Sequence, residues 1–276
     1  MRISARTQLC IIIGDPVEHS LSPVMHNAGY EALGIDDQFV FVAARVNVED
    51  VAQVVKGVRV MGIRGLTCTM PHKLEVMKYL DEIDPVARKI GAVNTVVNDQ
   101  GVMKGYNTDW LGTVEPLEKM AALAGKRVAL IGAGGAARAM AYGIISKGAK
   151  LKIYNRTIDT AQELANEFQC EAAGLDALPE VTAADIIVNS TSLGMGDLVG
   201  ETPVPKESIS SRHIVFDAVY DPLETRLLRE AREKGARVIH GTEMLLHQGF
   251  AQFTLYTGRK APEEAMRKAL RENLVR

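Results

Sequence analysis

Gly132-Ala133-Gly134-Gly135-Ala136-Ala137 directly follows the apolar run Arg127–Ile131 and opens an amphipathic stretch. A G-x-G-x-x-A string in that context is a phosphate cradle. Gly132 permits a tight turn, Gly134 lets backbone approach a pyrophosphate, and Ala137 lets helix and strand pack closely. N–H groups at the helix start then hold the negative charge. The next predicted strand, Leu151–Tyr154, runs into Asn155-Arg156-Thr157, with no carboxylate where an NAD site would carry one for the ribose 2′-hydroxyl. Arg156 offers a fixed fork of donors to a 2′-phosphate, and Asn155 and Thr157 add neutral donors. The plainer alternative leaves Arg156 a solvated charge and Thr157 a helix cap. The triplet stands at the discriminating strand end, so NADP is the cofactor this half predicts.

A hydride-transfer enzyme also needs a pocket facing the nicotinamide and a group that handles the proton on the reacting oxygen. Four polar clusters precede the cofactor half, each at the C-terminal end of a predicted strand, the edge where open α/β sheets bind ligands. They are Ser20-Leu21-Ser22, Thr69-Met70-Pro71-His72-Lys73, Ala92-Val93-Asn94-Thr95 and Asn107-Thr108-Asp109. Taken singly, each has a plain structural use as a helix start, a turn or a solvated charge. Together, in one half of the chain, they mark a site.

The elements that must position these groups follow from short apolar runs alternating with amphipathic stretches, the signature of βα units. Leu9–Ile13, Gln38–Ala43 and Ile63–Thr69 read as strands. Ser22-Pro23 reads as an N-cap with proline at the first helical position of a helix ending at Gly34, Asn47 and Asp50 open a second helix, and Pro71 a third. Val93–Asn98 and Val102–Tyr106 form a hairpin about a three-residue turn, Asp99-Gln100-Gly101. Asp109–Ala124 is helical. Beyond the Gly-rich turn come a helix to Lys147, strands at Asp185–Asn189, His213–Asp217 and Arg237–His240, and a helix at Glu224–Lys234. From Thr242 onward the chain is helical.

At 276 residues the chain predicts two domains at roughly 150 residues each. Hydrophobic residues at 47% suffice for a core, and a net charge of −2 leaves no basic field for nucleic acid or an anionic membrane. No apolar run reaches the ~20 residues of a membrane span, and Leu9–Ile13 stops at Gly14-Asp15-Pro16, short of a secretory signal. Three scattered cysteines without a CxxC predict a reducing, cytoplasmic home, and six histidines without metal-ligand spacing predict no metal. Cys68 reads as a small buried hydrophobe.

The ordered set of motifs resembles shikimate dehydrogenase nearly end to end. It runs from Gly14-Asp15-Pro16 and Ser20/Ser22 through Thr69-x-Pro71-x-Lys73, Gly91–Thr95 and Asn107-Thr108-Asp109. The Gly-rich turn, Asn155-Arg156-Thr157 and Asn189-Ser190-Thr191-Ser192-x-Gly194-Met195 follow, then Asp217-x-x-Tyr220 and Gly241-x-x-Met244 with Gln248. The resemblance implies NADP-dependent, reversible reduction of 3-dehydroshikimate to shikimate, a step of aromatic amino-acid (chorismate) biosynthesis. It implies Lys73 and Asp109 as the catalytic pair, and Ser20, Ser22, Thr69, Asn94, Tyr220 and Gln248 as substrate contacts. Cofactor contacts would come from Gly132, Ala133, Gly134, Gly135, Ala136, Asn155, Arg156, Thr157, Ala218 and Gly241. The expected fold is α/β: a substrate domain at 1–110, completed by C-terminal helices at 242–276 that return to it, and a Rossmann NADP domain at 111–241. The partner is a small molecule, and a homodimer is left open. Rival readings are a quinate/shikimate dehydrogenase preferring NAD, and a non-catalytic dinucleotide sensor on the same fold. Two positions depart from the family pattern. Thr67-Cys68 stands where many members have Asn-Val, and Trp110, expected to line the pocket or pack a junction, follows Asp109 where glycine is more usual.

Overall fold

The computed structural model describes residues 3–274. The strands are β1 (Gln8–Gly14), β2 (Phe39–Arg45), β3 (Gly65–Cys68), β4 (Glu82–Ile83), β5 (Thr95–Asp99), β6 (Val102–Tyr106), β7 (Arg127–Ile131), β8 (Lys150–Tyr154), β9 (Glu171–Ala173), β10 (Ile186–Asn189), β11 (Ile214–Asp217) and β12 (Arg237–Ile239). The helices are α1 (Ser22–Ala32), α2 (Val51–Val60), α3 (His72–Glu75), α4 (Pro85–Ile90), α5 (Asp109–Met120), α6 (Gly135–Ser146), α7 (Ile158–Phe168), α8 (Arg226–Glu233), α9 (Gly241–Thr257) and α10 (Glu263–Leu274). The chain divides into two compact units, one up to Thr108 and again from Gln248 on, the other Asp109–His247. The sequence reading drew these lines at 110/111 and 241/242.

The first unit is built on a six-stranded sheet in the order β2-β1-β3-β5-β6-β4. β2, β1 and β3 are parallel, whereas β5 runs antiparallel to both β3 and β6. β1 is apolar along its length because both sheet faces are covered. Leu9, Ile11 and Ile13 pack with Val51, Val55 and Val58 of α2. On the other face lie the buried Met25, Tyr30, Phe41, Phe253, Tyr256 and Met266, drawn from α1, β2, α9 and α10. Each such side chain, fully buried, contributes about 1.5–3 kcal/mol. That layer is how the C-terminal helices belong to the first unit.

The second unit is a wholly parallel sheet ordered β12-β11-β10-β7-β8-β9, the doubly wound arrangement with its reversal of order beside β7. Val128 and Leu130 face a core shared with α5 and α6, and Ala129 and Ile131 face one shared with α8.

Three local readings are corrected. The hairpin turn has two residues, not three: Asp99 pairs with Val102, and Gln100 (φ 53°) and Gly101 (φ 92°) make the left-handed pair that matches strand twist. Ser22 is the first helical residue and not the cap of α1. Leu21 takes the cap position and makes no side-chain cap bond. Asn47 does not open an α-helix; a 3₁₀ turn at Val48–Asp50 intervenes before α2. Among the described residues no helix is long and apolar enough to cross a membrane.

Candidate active site

In the first unit, the ends of β1, β3 and the β5–β6 hairpin are laced together by main chain. Thr69 N–H donates to the Ile13 carbonyl at 2.9 Å and Asp15 N–H to the Met70 carbonyl at 3.1 Å. Gly14 allows this closeness, since a Cβ there would lie 2.4 Å from Thr69 Cγ2 and 3.3 Å from the Met70 oxygen. The peptide bonds before Pro16 and Pro71 are both cis. Ser20 and Ser22 follow on the same loop, with Ser22 N–H donating to Ser20 Oγ at 3.4 Å.

Lys73 sits in the four-residue helix α3, half-buried. Two anchors hold that turn. His72, fully buried, donates from Nε2 to the Val46 carbonyl at 2.8 Å, and Val93 N–H donates to the Lys73 carbonyl at 2.9 Å. The Lys73 charge also reaches Cys68. Burial pushes that thiol up to about 12, and the nearby ammonium offsets only part of the rise. Cys68 is a small buried residue, as expected.

Asn94 is 1% exposed and bound on every side. Its main chain joins Cys68 and Tyr106 (2.8 and 3.1 Å), and its Oδ1 accepts from Thr108 N–H at 2.9 Å and from the Thr95 hydroxyl at 2.8 Å. Asn107 donates to the Ala92 carbonyl at 3.0 Å. Thr67, which departs from the family pattern, meets the Tyr256 hydroxyl at 2.8 Å in the core. Thr69, Asn94, Lys73, both serines and Gln248 thus all belong to the first unit; Asp109 and Tyr220 belong to the second.

Asp109 is buried at the first residue of α5. Trp110 beside it stands edge-on to Tyr142 at 5.8 Å and packs on the core of the second unit, so its role there is packing. Burial raises the Tyr220 phenol, and Asp221 adds to the shift. His247, the residue before Gln248, is clasped by Lys119 Nζ at 3.0 Å and Glu115 at 2.5 Å.

The dinucleotide cradle has the expected form. Gly132 adopts φ 106°, and a Cβ there would lie 2.5 Å from Ser190 Oγ, whose hydroxyl donates to the Ile131 carbonyl at 2.8 Å. Gly134 caps α6, and beside both Gly134 and Gly135 an added Cβ would meet nothing within 4 Å. That open space in front of a 12-residue helix start is what a pyrophosphate needs. Ala133 and Ala136 flank it half-buried, and Ala137 is fully buried against the sheet. At the end of β8, Asn155 Nδ2 donates to the Thr157 carbonyl at 2.9 Å. Thr157 holds the cap position of α7 but its side chain makes no cap bond, and exposed Arg156 has no ion pair among the described residues. The residues therefore fit NADP. At the same C-terminal edge of the sheet, beyond β11 and β12, a Cβ on Gly241 would lie 2.5 Å from the Ala218 oxygen.

Sequence reasoning had no means of finding the polar knot behind this edge. Asp217, fully buried, accepts from Asn189 Nδ2 (2.8 Å), Val219 N–H (3.1 Å) and the Thr225 hydroxyl (2.6 Å). Burial raises its carboxyl, and these bonds oppose the rise. Asn189 in turn accepts from Thr191 N–H at 2.9 Å, fixing the loop under Gly132.

Comparison with known proteins agrees with this geometry. Residues 12–96 match the shikimate dehydrogenase substrate binding domain, 116–202 the shikimate / quinate 5-dehydrogenase family, and 241–271 the shikimate 5'-dehydrogenase C-terminal domain. Shikimate dehydrogenase (NADP(+)) of Moorella thermoacetica is 46% identical over 99% of this chain and 95% of that protein. The chain belongs to the shikimate dehydrogenase family. A crystal structure of a shikimate dehydrogenase in complex with NADP+ superposes with a TM-score of 0.95 at 39% identity, covering 100% of this chain and 98% of the other. The shikimate dehydrogenase of Thermus thermophilus, solved with NADP(H) and shikimate, gives 0.90 at 36% identity, covering 96% and 99%.

Proposed function

We propose that this protein catalyses the reversible, NADP-dependent reduction of 3-dehydroshikimate to shikimate, in the cytoplasm, within aromatic amino-acid biosynthesis. The observation that carries the reading is the Lys73 turn beside rigidly held Asn94, in the part of the chain that matches the family's substrate binding domain. The first unit then serves as the substrate domain, completed by the C-terminal helices, and the second as the NADP domain.

Ser20 and Ser22 donate to the substrate carboxylate, while Thr69, Asn94, Tyr220 and Gln248 read its oxygens. NADPH, when bound, supplies the hydride. Lys73 stabilises the negative charge that grows on the carbonyl oxygen and delivers the proton. In the reverse direction Lys73 takes that proton back, and Asp109 is its carboxylate partner in the catalytic pair. Gly132, Ala133, Gly134, Gly135 and Ala136 hold the pyrophosphate, Asn155, Arg156 and Thr157 the 2′-phosphate, and Ala218 and Gly241 line the nicotinamide end.

Absorbance at about 340 nm, the nicotinamide band, tests this with shikimate or quinate and NADP or NAD. Fastest turnover is expected for shikimate with NADP. No turnover in any of the four mixtures would remove the enzymatic reading, and preference for quinate or NAD would replace it with the broader dehydrogenase.

A further inference from the structure

Asn94 is held by a second layer of groups that the reaction itself does not require. Gln252 of α9 donates from Nε2 to Thr95 Oγ1 at 2.9 Å, across 157 residues of sequence. Thr95 donates to Asn94 Oδ1 at 2.8 Å, and Asn94 Nδ2 donates to Thr108 Oγ1 at 2.9 Å. Thr95 and Gln252 are 0% exposed, Asn94 1% and Thr108 2%.

The direction of each bond follows from donor chemistry. An amide nitrogen only donates, so the Thr95 oxygen must accept from Gln252 and use its single proton on Asn94. The Thr108 main-chain N–H also only donates, so it too must face Asn94 Oδ1. Two donors on that oxygen exclude the flipped amide, which would set N–H against both. Any further partner of the Asn94 side chain therefore meets N–H and must accept.

With its Nε2 committed to Thr95, Gln252 turns its Oε1 toward the buried His26 ring, which fixes the glutamine amide at its other end. We infer that Gln252 and Thr95 are positioning residues: they lock the Asn94 amide so that it reads a substrate oxygen as a donor. The inference rests on the function proposed above and extends it to residues that touch no substrate.

The test uses Thr95→Val, Thr95→Ser and Gln252→Leu in the full chain. Thr95→Val and Gln252→Leu should raise the KM for shikimate about fivefold to tenfold, the worth of one buried hydrogen bond, and leave the KM for NADP unchanged. Thr95→Ser keeps the hydroxyl and should restore the wild-type value. In an Asn94→Ala background, Thr95→Val should add nothing. An unchanged shikimate KM in Thr95→Val, or equal shifts in both KM values, overturns the inference. Hydrogen exchange of the Asn94 side-chain amide, followed by ¹⁵N NMR, gives a reading independent of turnover. It should quicken in Thr95→Val and not in Thr95→Ser, and equal rates in all three proteins would overturn the relay. Absence of shikimate turnover in the wild type would instead refute the proposed function, with the amide measurement still deciding the relay.

Discussion

The Thr67 hydroxyl and the Tyr256 phenol meet at 2.8 Å inside the first unit, joining central strand β3 to helix α9. Space for the phenol is made by Gly65, where a Cβ would lie 2.6 Å from the Tyr256 ring. Thr67 stands where many family members carry asparagine, so this pair gives residue 67 a structural use of its own. Removing one partner leaves the other buried and unsatisfied, whereas removing both leaves an apolar contact. Tyr256→Phe should therefore cost about 1–2 kcal/mol in urea unfolding. Adding Thr67→Val should cost less than the sum of the two single changes. Strict additivity would show that the hydroxyls do not interact.

Lys73 lies on a helix of only four residues, yet His72 and Val93 anchor its backbone on both sides. Lys73→Ala therefore changes the chemistry of the site without loosening the turn. Turnover should fall at least about a hundredfold, the scale of lost acid–base assistance. NADPH affinity, measured by fluorescence titration, should stay within about twofold, because the dinucleotide cradle belongs to the other unit. A Lys73→Ala enzyme with wild-type turnover would remove the ammonium from the reaction.

Arg156 is exposed, without an ion pair among the described residues, at the end of a strand that carries no carboxylate. A charge-assisted bond to a 2′-phosphate is worth about 1.5–3 kcal/mol, or roughly 10- to 100-fold in affinity. Arg156→Ala should raise the KM for NADP by that factor and leave the KM for NAD nearly unchanged. Equal losses with both cofactors would mean that the guanidinium supports the loop and not the phosphate.

What could be read from sequence is what local pattern encodes. β1 and β7 were visible because both of their faces are buried, which leaves unbroken apolar runs; Arg127–Ile131 is the strand observed. The Gly-rich turn was visible because positive φ at Gly132, with Ser190 Oγ crowding the place of a Cβ, leaves few alternatives to glycine there. β4 and β9 left no signal, being two and three residues long with partly exposed side chains. The locations of Lys73 and Asn94 were legible as polar clusters at strand ends, but not what holds them. Thr95 and Gln252 meet through contacts 157 residues apart, and a glutamine within an apolar helix carries no periodic signature. Asp217 likewise reads as an ordinary strand-end acid until Asn189 and Thr225 are seen around it.

His26 makes a prediction about stability and pH. It is fully buried between α1 and β2, stacked on Phe41 at 4.3 Å, and burial pushes its pKa down to about 3, with Gln252 opposing. In the unfolded chain the same ring titrates near about 6.5. Between those values the unfolded state binds a proton that the native state refuses, so this group's contribution is intact above about pH 6.5 and is lost as pH falls towards about 3. The slope is at most about 1.4 kcal/mol per pH unit, so roughly 2 kcal/mol should disappear between about pH 7 and 5. His213, also lowered by burial, acts in the same sense, and Asp217, raised by burial, in the opposite one. Both remain in a His26→Phe variant, so they cancel in the comparison. Urea unfolding at about pH 7 and 5 should show a smaller fall for His26→Phe than for the wild type. Equal falls would mean that the buried imidazole carries its proton in the folded protein.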